Sequence, residues 1–167
     1  MYSSFDTEPL TGLMAYQLVS EGDYATVNHA PDTSHIATLG IYTCKAITLH
    51  NPSEQYGTMI HLNGTTSVQN TLRPIVDTYG SDITAADVAI VEATIDEDTF
   101  LWPSSESIAN YFMQFNPRSL RIDYNPTQRA ERAVALDLAT GTLHEVDPSS
   151  ELFNLSQPNF KPSTPLR

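Results

Sequence analysis

From His35 onward the apolar positions fall in short runs separated by turn formers. IATLGIY, KAITLH and YGTMIHL are rich in β-branched residues, and Asn51-Pro52-Ser53 between the last two predicts a hairpin with a longer loop. Upstream, LMAYQLV fits a strand or a short helix and NHAPDTS is turn chemistry. After His61, Asn63-Gly64-Thr65 is expected to end a strand and cap a helix. Val68, Leu72, Ile75, Val76 and Tyr79 share one face of that helix, and Pro74 marks a kink or the start of a second turn. DVAIVEATI reads as a strand. Pro103 and Ser104 then open a second helix, whose Ile108, Tyr111, Phe112 and Phe115 follow the i, i+3, i+4, i+7 rule until Asn116-Pro117 stops it. SLRIDY and RAVALDL look like strands, and Ala139-Thr140-Gly141-Thr142 is a turn that returns LHEV onto RAVALDL.

Strands therefore outnumber helices and do not alternate regularly with them. That pattern predicts an α+β fold, a largely antiparallel sheet or sandwich flanked by helices, rather than a doubly wound one. At 167 residues the chain suits one domain, taken as residues 1–155. Residues 156–167 form a proline-rich tail with little to bury, expected to be mobile or laid over the surface.

Charge narrows the partners. A net charge of −12 opposes binding to phosphate backbones and anionic membranes, so neither nucleic acid nor membrane insertion is expected. Cys44 is the single cysteine, which excludes an internal disulfide and a thiolate zinc site and suits a reducing compartment. The first twenty residues lack the pattern of a cleaved signal, so a cytoplasmic location is expected, with export as an effector lacking such a signal as the alternative.

Thiol catalysis needs a thiolate, a base to exchange its proton, and a third group to orient the base. The stretch from Thr38 to Gly64 holds a candidate for each. If KAITLH and YGTMIHL pair antiparallel, the open end of the hairpin brings Cys44, at the start of one strand, beside His61, near the end of the other. Thr38 is then the candidate orienter. Taken alone, these residues are equally ordinary core residues: a small buried thiol, a backbone-bonded histidine and a strand threonine.

The order and spacing Thr38-x5-Cys44-x16-His61 resembles that of the CheD chemoreceptor glutamine deamidases. IATLGIYTCKAITLHNP is similar to that family's segment around the catalytic cysteine, and Gly57-Thr58-Met59-Ile60-His61 to its Gly-Gly-Met-Ala-His segment. The helix SESIANYFMQFN and the ending RAERAVALDLATGTLHEV also resemble the family, so the likeness runs over about residues 34–147, the first block being the specific one. Tyr42-Thr43 stand where the family has Gly-Ser, and DVAIVEATIDEDTFLWP lacks its Gly-Gly-Ala run.

The resemblance implies a CheD-like fold and a hydrolase acting on carboxamides. In it Cys44, His61 and Thr38 form the triad, Thr43 and Tyr42 lie at the oxyanion site and mouth, and no metal or organic cofactor takes part. The implied reaction converts glutamine side chains of a partner protein, a chemoreceptor or a host protein, to glutamate through a cysteine thioester, with ammonia released. Toxin deamidases such as cytotoxic necrotizing factor and Burkholderia lethal factor share this chemistry. Two alternatives stand beside it: a catalytically inactive protein-binding module on the same fold, and an amidohydrolase of N-terminal or free amides.

The remaining candidates are weaker. His29, Asp32 and His35 have metal-like spacing, but Pro31 interrupts any helix, so a turn with surface histidines is expected. His50, beside Asn51-Pro52, and His144, in the last hairpin, are both expected to be exposed. Asp96-Glu97-Asp98 reads as a solvated acidic loop.

Overall fold

The computed structural model describes residues 16–64, 67–93, 103–124, 131–146 and 163–166. Among them are ten strands in two sheets and two α-helices, an α+β fold with a largely antiparallel sheet sandwich. The six-stranded sheet has the order β10-β2-β5-β4-β6-β7, built from β2 (Asp23–Asn28), β4 (Lys45–Asn51), β5 (Tyr56–Leu62), β6 (Asp87–Glu92), β7 (Ser119–Tyr124) and β10 (Thr164–Pro165). The four-stranded sheet has the order β1-β3-β8-β9, from β1 (Tyr16–Val19), β3 (His35–Ile41), β8 (Arg132–Asp137) and β9 (Leu143–Glu145). Among the described strands only β6–β7 and β1–β3 run parallel.

The alternating faces of β4 and β5 explain the layering. Ile47, Leu49, Ile60 and Leu62 point one way, into a core shared with α1 (Val68–Tyr79) and α2 (Ser105–Met113). Ala46 and Met59 point the other way, into a second core with Ile36, Val134 and Leu136 of the four-stranded sheet. These strands are buried on both faces, which is why KAITLH and YGTMIHL read as near-continuous apolar runs. The two sheets come close at Gly57, where a Cβ would lie 2.8 Å from Leu136 Cδ2.

The helices bury Val68, Leu72, Ile75, Val76 and Tyr79 in α1 and Ile108, Tyr111 and Phe112 in α2, as expected, but α2 ends at Met113, so Phe115, expected on its face, lies beyond it and is half-buried. The α1 cap falls on Ser67, whose hydroxyl accepts from the Asn70 N–H, rather than on Asn63-Gly64-Thr65. Pro74 lies inside α1, on its exposed side. Ser104 caps α2 as expected. The acidic loop at residues 96–98 lies outside the described residues.

LMAYQLV contributes a strand, β1, over its described part. The strand β2 had no counterpart in the sequence reading, because DYATVN is polar and its side chains are only partly buried; pairing with β5 makes it a strand. Of the tail, residues 163–166 are described: Thr164–Pro165 lies along the edge of β2, with Leu166 N–H bonded to the Gly22 carbonyl at 2.8 Å. No helix among the described residues is long and apolar enough to cross a membrane.

At one end of the sandwich a buried ion network ties the two sheets together. Arg132 donates to Asp123 Oδ2 at 2.7 Å, to the Glu92 carbonyl at 2.7 Å and to Glu145, with Arg132 and Asp123 each 2% exposed. The same end carries the start of β4 and the end of β5.

Candidate active site

The hairpin of β4 and β5 pairs Lys45 with Leu62 and Ala46 with His61. His61 therefore points with Ala46 into the space between the two sheets. Cys44 lies in the bend one residue ahead of β4, at the open end of the same hairpin. Both side chains are buried.

Thr38 comes from the other sheet. Its Oγ1 lies 2.7 Å from the Val19 carbonyl and 2.8 Å from His61 Nδ1, and the side chain is fully buried. A hydroxyl has one proton, and a carbonyl can only accept, so that proton goes to Val19. Thr38 Oγ1 is then left with lone pairs for the imidazole, and Nδ1–H must be the donor. The ring is fixed as the tautomer with Nε2 unprotonated. This Nε2 is buried and has no hydrogen-bond partner among the described residues. A basic nitrogen held in one orientation and facing no protein partner is the arrangement a general base requires.

The turn between β1 and β2 closes the site from one side. Gly22, in the left-handed region with φ +79°, donates its N–H to the His61 carbonyl at 2.9 Å. This contact fixes the neighbouring Glu21, whose Oε1 accepts from the Cys44 thiol at 3.4 Å. Between Thr38 and Cys44 the register of β3 against β8 shifts, with Gly40 at φ +75°, so the chain bends before it enters β4.

Electrostatics sets the resting state. Burial pushes the His61 imidazole below its ordinary range, and the charges of Glu21 and Asp23 partly oppose this. Burial pushes the Cys44 thiol up, and the hydrogen bond and charge of Glu21 add to that rise, while Thr43 and Lys45 work against it. The site at rest is thus a neutral thiol with a neutral imidazole, not a preformed ion pair.

Of the residues singled out from sequence, Thr38 and His61 are in direct contact, and Cys44 lies in the bend one residue ahead of β4 with its thiol bonded to Glu21. Tyr42 and Thr43 occupy the bend that leads into Cys44; both are exposed, the Tyr42 ring by 57%. Glu21 and the Val19 carbonyl were not anticipated. SEGD is a recognisable turn signature, but nothing local ties that turn to a cysteine 23 residues later.

Other histidines differ from expectation. His50 is not in an exposed loop but in β4, 2% exposed, with Nε2–H donating to the Leu138 carbonyl at 2.8 Å. A Cβ on Gly141 would lie 2.5 Å from His50 Nδ1, and Gly141 itself has φ +74°, so the ATGT turn needs glycine there on both counts. His144 is half-buried rather than exposed. His29 is exposed beside the Ala30–Thr33 turn, as expected, whereas His35 is half-buried in β3.

Compared with models of known protein families and with curated proteins, the chain gives no match.

Proposed function

We propose that the protein is a cysteine-dependent glutamine deamidase acting on a partner protein. The observation that carries this reading is the Thr38–His61 hydrogen bond, which fixes a buried imidazole with Nε2 unprotonated, and unpartnered among the described residues, at the open end of the hairpin that Cys44 leads into. The CheD-like spacing of the same three residues supports it independently. Burial of an unpaired basic nitrogen carries a desolvation cost of about 1–3 kcal/mol, and because His50 Nδ1 is left unpaired in the same way, it is the CheD-like spacing to Cys44 and Thr38 that sets His61 apart.

His61 Nε2 takes the proton of Cys44 as sulfur attacks the carboxamide carbon of a glutamine side chain. Because burial and Glu21 disfavour a free thiolate, proton transfer accompanies attack rather than preceding it. Glu21, whose charge favours the protonated imidazole, stabilises the imidazolium that forms. Backbone N–H groups at Thr43 and Cys44 are the candidates for the oxyanion, each such donor being worth about 3 kcal/mol in hydrolases. The imidazolium then protonates the departing ammonia and a thioester remains. Water activated by Nε2 hydrolyses it, leaving glutamate and restoring the thiol.

No organic cofactor enters these steps. Specificity has to come from docking a protein surface, and the net charge of −12 favours a basic face on that partner. A catalytic free thiol also suits a reducing compartment such as the cytoplasm.

The test compares wild type with Cys44→Ala after incubation with a soluble proteome, by peptide mass analysis and hydroxylamine trapping. Internal Gln-to-Glu conversions made only by wild type, together with a hydroxylamine-labile acyl adduct on Cys44, support the reading. Conversion confined to N-terminal or free amides moves the substrate class. Equal products with both proteins overturn catalysis and leave a binding module.

A further inference from the structure

His35 on β3, Asp137 on β8 and His144 on β9 bring their ligand atoms within 4.8 Å of one another on three neighbouring strands. The placement follows from register. His35 and Asp137 are direct cross-strand partners, and His144 pairs with Ala135, two residues before Asp137 and so on the same face. Ala37 and Ala135 on that face pack with Leu18, Ala133 and Val146, while Ile36 and Leu136 on the opposite face meet the six-stranded sheet. The three ligand residues therefore stand on the outer face of the four-stranded sheet, away from Cys44 and His61.

We propose that His35, Asp137 and His144 bind a divalent transition-metal ion, zinc being the ion their donors suit. Two imidazoles and one carboxylate are a borderline donor set that fits zinc and its neighbours, and the two nitrogens exclude a calcium or magnesium cage, which takes oxygen. Two of the ligands already have the orienting partners that metal ligands have. The Ser34 hydroxyl lies 2.7 Å from His35 Nδ1, which leaves Nε2 for the ion. Asp137 Oδ1 accepts from the N–H groups of Ala139 and Thr140 at 2.8 and 3.2 Å, which holds the carboxylate at the head of the hairpin and leaves Oδ2 to coordinate.

All three side chains are half-buried, so small rotations bring the donors to the edge length of a zinc tetrahedron, about 3.4 Å for bonds of about 2.1 Å, without disturbing the core. Three protein ligands leave a coordination position for water. An ion here also ties β3, which carries Thr38, to β8 and β9.

The experiment titrates the full-length Cys44→Ser protein, in which no thiolate competes, with zinc and with cobalt. Binding is followed by calorimetry, cobalt absorption and the thermal midpoint. Saturable binding of a single ion, with a higher midpoint, is expected. It should be lost in His35→Ala and in His144→Ala and kept in His29→Ala. In the unsubstituted ring system, cobalt should broaden the NMR signals of His35 and His144 before those of His29 and His50, a readout that does not depend on any ligand variant folding. Absence of saturable binding, retention of full affinity in both ligand variants, or broadening centred on other histidines each overturns the assignment.

Discussion

Replacing Thr38 by valine keeps the shape of the side chain and removes its hydroxyl. In the native structure that oxygen satisfies two groups at once, the Val19 carbonyl at 2.7 Å and His61 Nδ1 at 2.8 Å, in a fully buried position. Valine leaves both unpaired. Each unsatisfied buried group costs about 1–3 kcal/mol, so Thr38→Val is expected to lower stability by about 2–6 kcal/mol. Against a domain stability of about 5–15 kcal/mol this is large and readily measured by urea unfolding with an unchanged slope. Thr38→Ser is the control: it keeps both hydrogen bonds and loses a methyl group, for about 1 kcal/mol. The second readout is the ring itself. In wild type, nitrogen NMR of His61 should report Nδ1 protonated and Nε2 bare; valine removes the acceptor that selects this tautomer, so the two forms should mix, while serine retains the native pattern. A valine variant within about 0.5 kcal/mol of wild type and with an unchanged tautomer would refute the claim that Thr38 holds the base.

Three further outcomes are expected. Alkylation of Cys44 by iodoacetamide should titrate above the ordinary thiol range, and Glu21→Gln should move the profile to lower pH and speed the reaction at neutral pH, because it removes the negative charge that helps hold the proton on sulfur; an unmoved profile would separate Glu21 from the sulfur. His61 and His35 are both held below their unfolded value, so the unfolded chain binds more protons as pH falls, and stability should decline below about pH 6.5 until the folded pKa values are passed. In His61→Gln that decline should be shallower, and urea midpoints that fall in parallel with wild type would count against a depressed His61. Arg132→Met should cost about 3–5 kcal/mol by leaving Asp123 charged and buried, with much of the loss recovered in the double variant with Asp123→Leu; an additive double-mutant cycle would mean that the pair is not coupled.

The pattern of apolar positions was sufficient to place the hairpin of β4 and β5, both helix faces and the final hairpin of β8 and β9, since each depends on short-range periodicity and on local turn and cap residues. It also placed Cys44 and His61 at the open end of one hairpin, because an antiparallel register is set by its own loop. What tertiary structure alone decided are the contacts between segments distant in the chain. The strand β2 has a polar sequence and exists because β5 offers it an edge; β1 runs parallel to β3, and that pairing brings the Val19 carbonyl to Thr38. His50 looked like a loop residue beside Asn51-Pro52, yet β4 is covered on both sides and its imidazole is sealed against Gly141. Glu21 reaches Cys44, and His35 meets Asp137 and His144, across separations that no local pattern encodes. Local periodicity determined which residues form strands and helices and which face each side chain takes, while sheet pairing decided which carbonyl, carboxylate and imidazole became neighbours, because burial of apolar surface fixes the packing of distant strands and polar groups must satisfy one another wherever that packing leaves them.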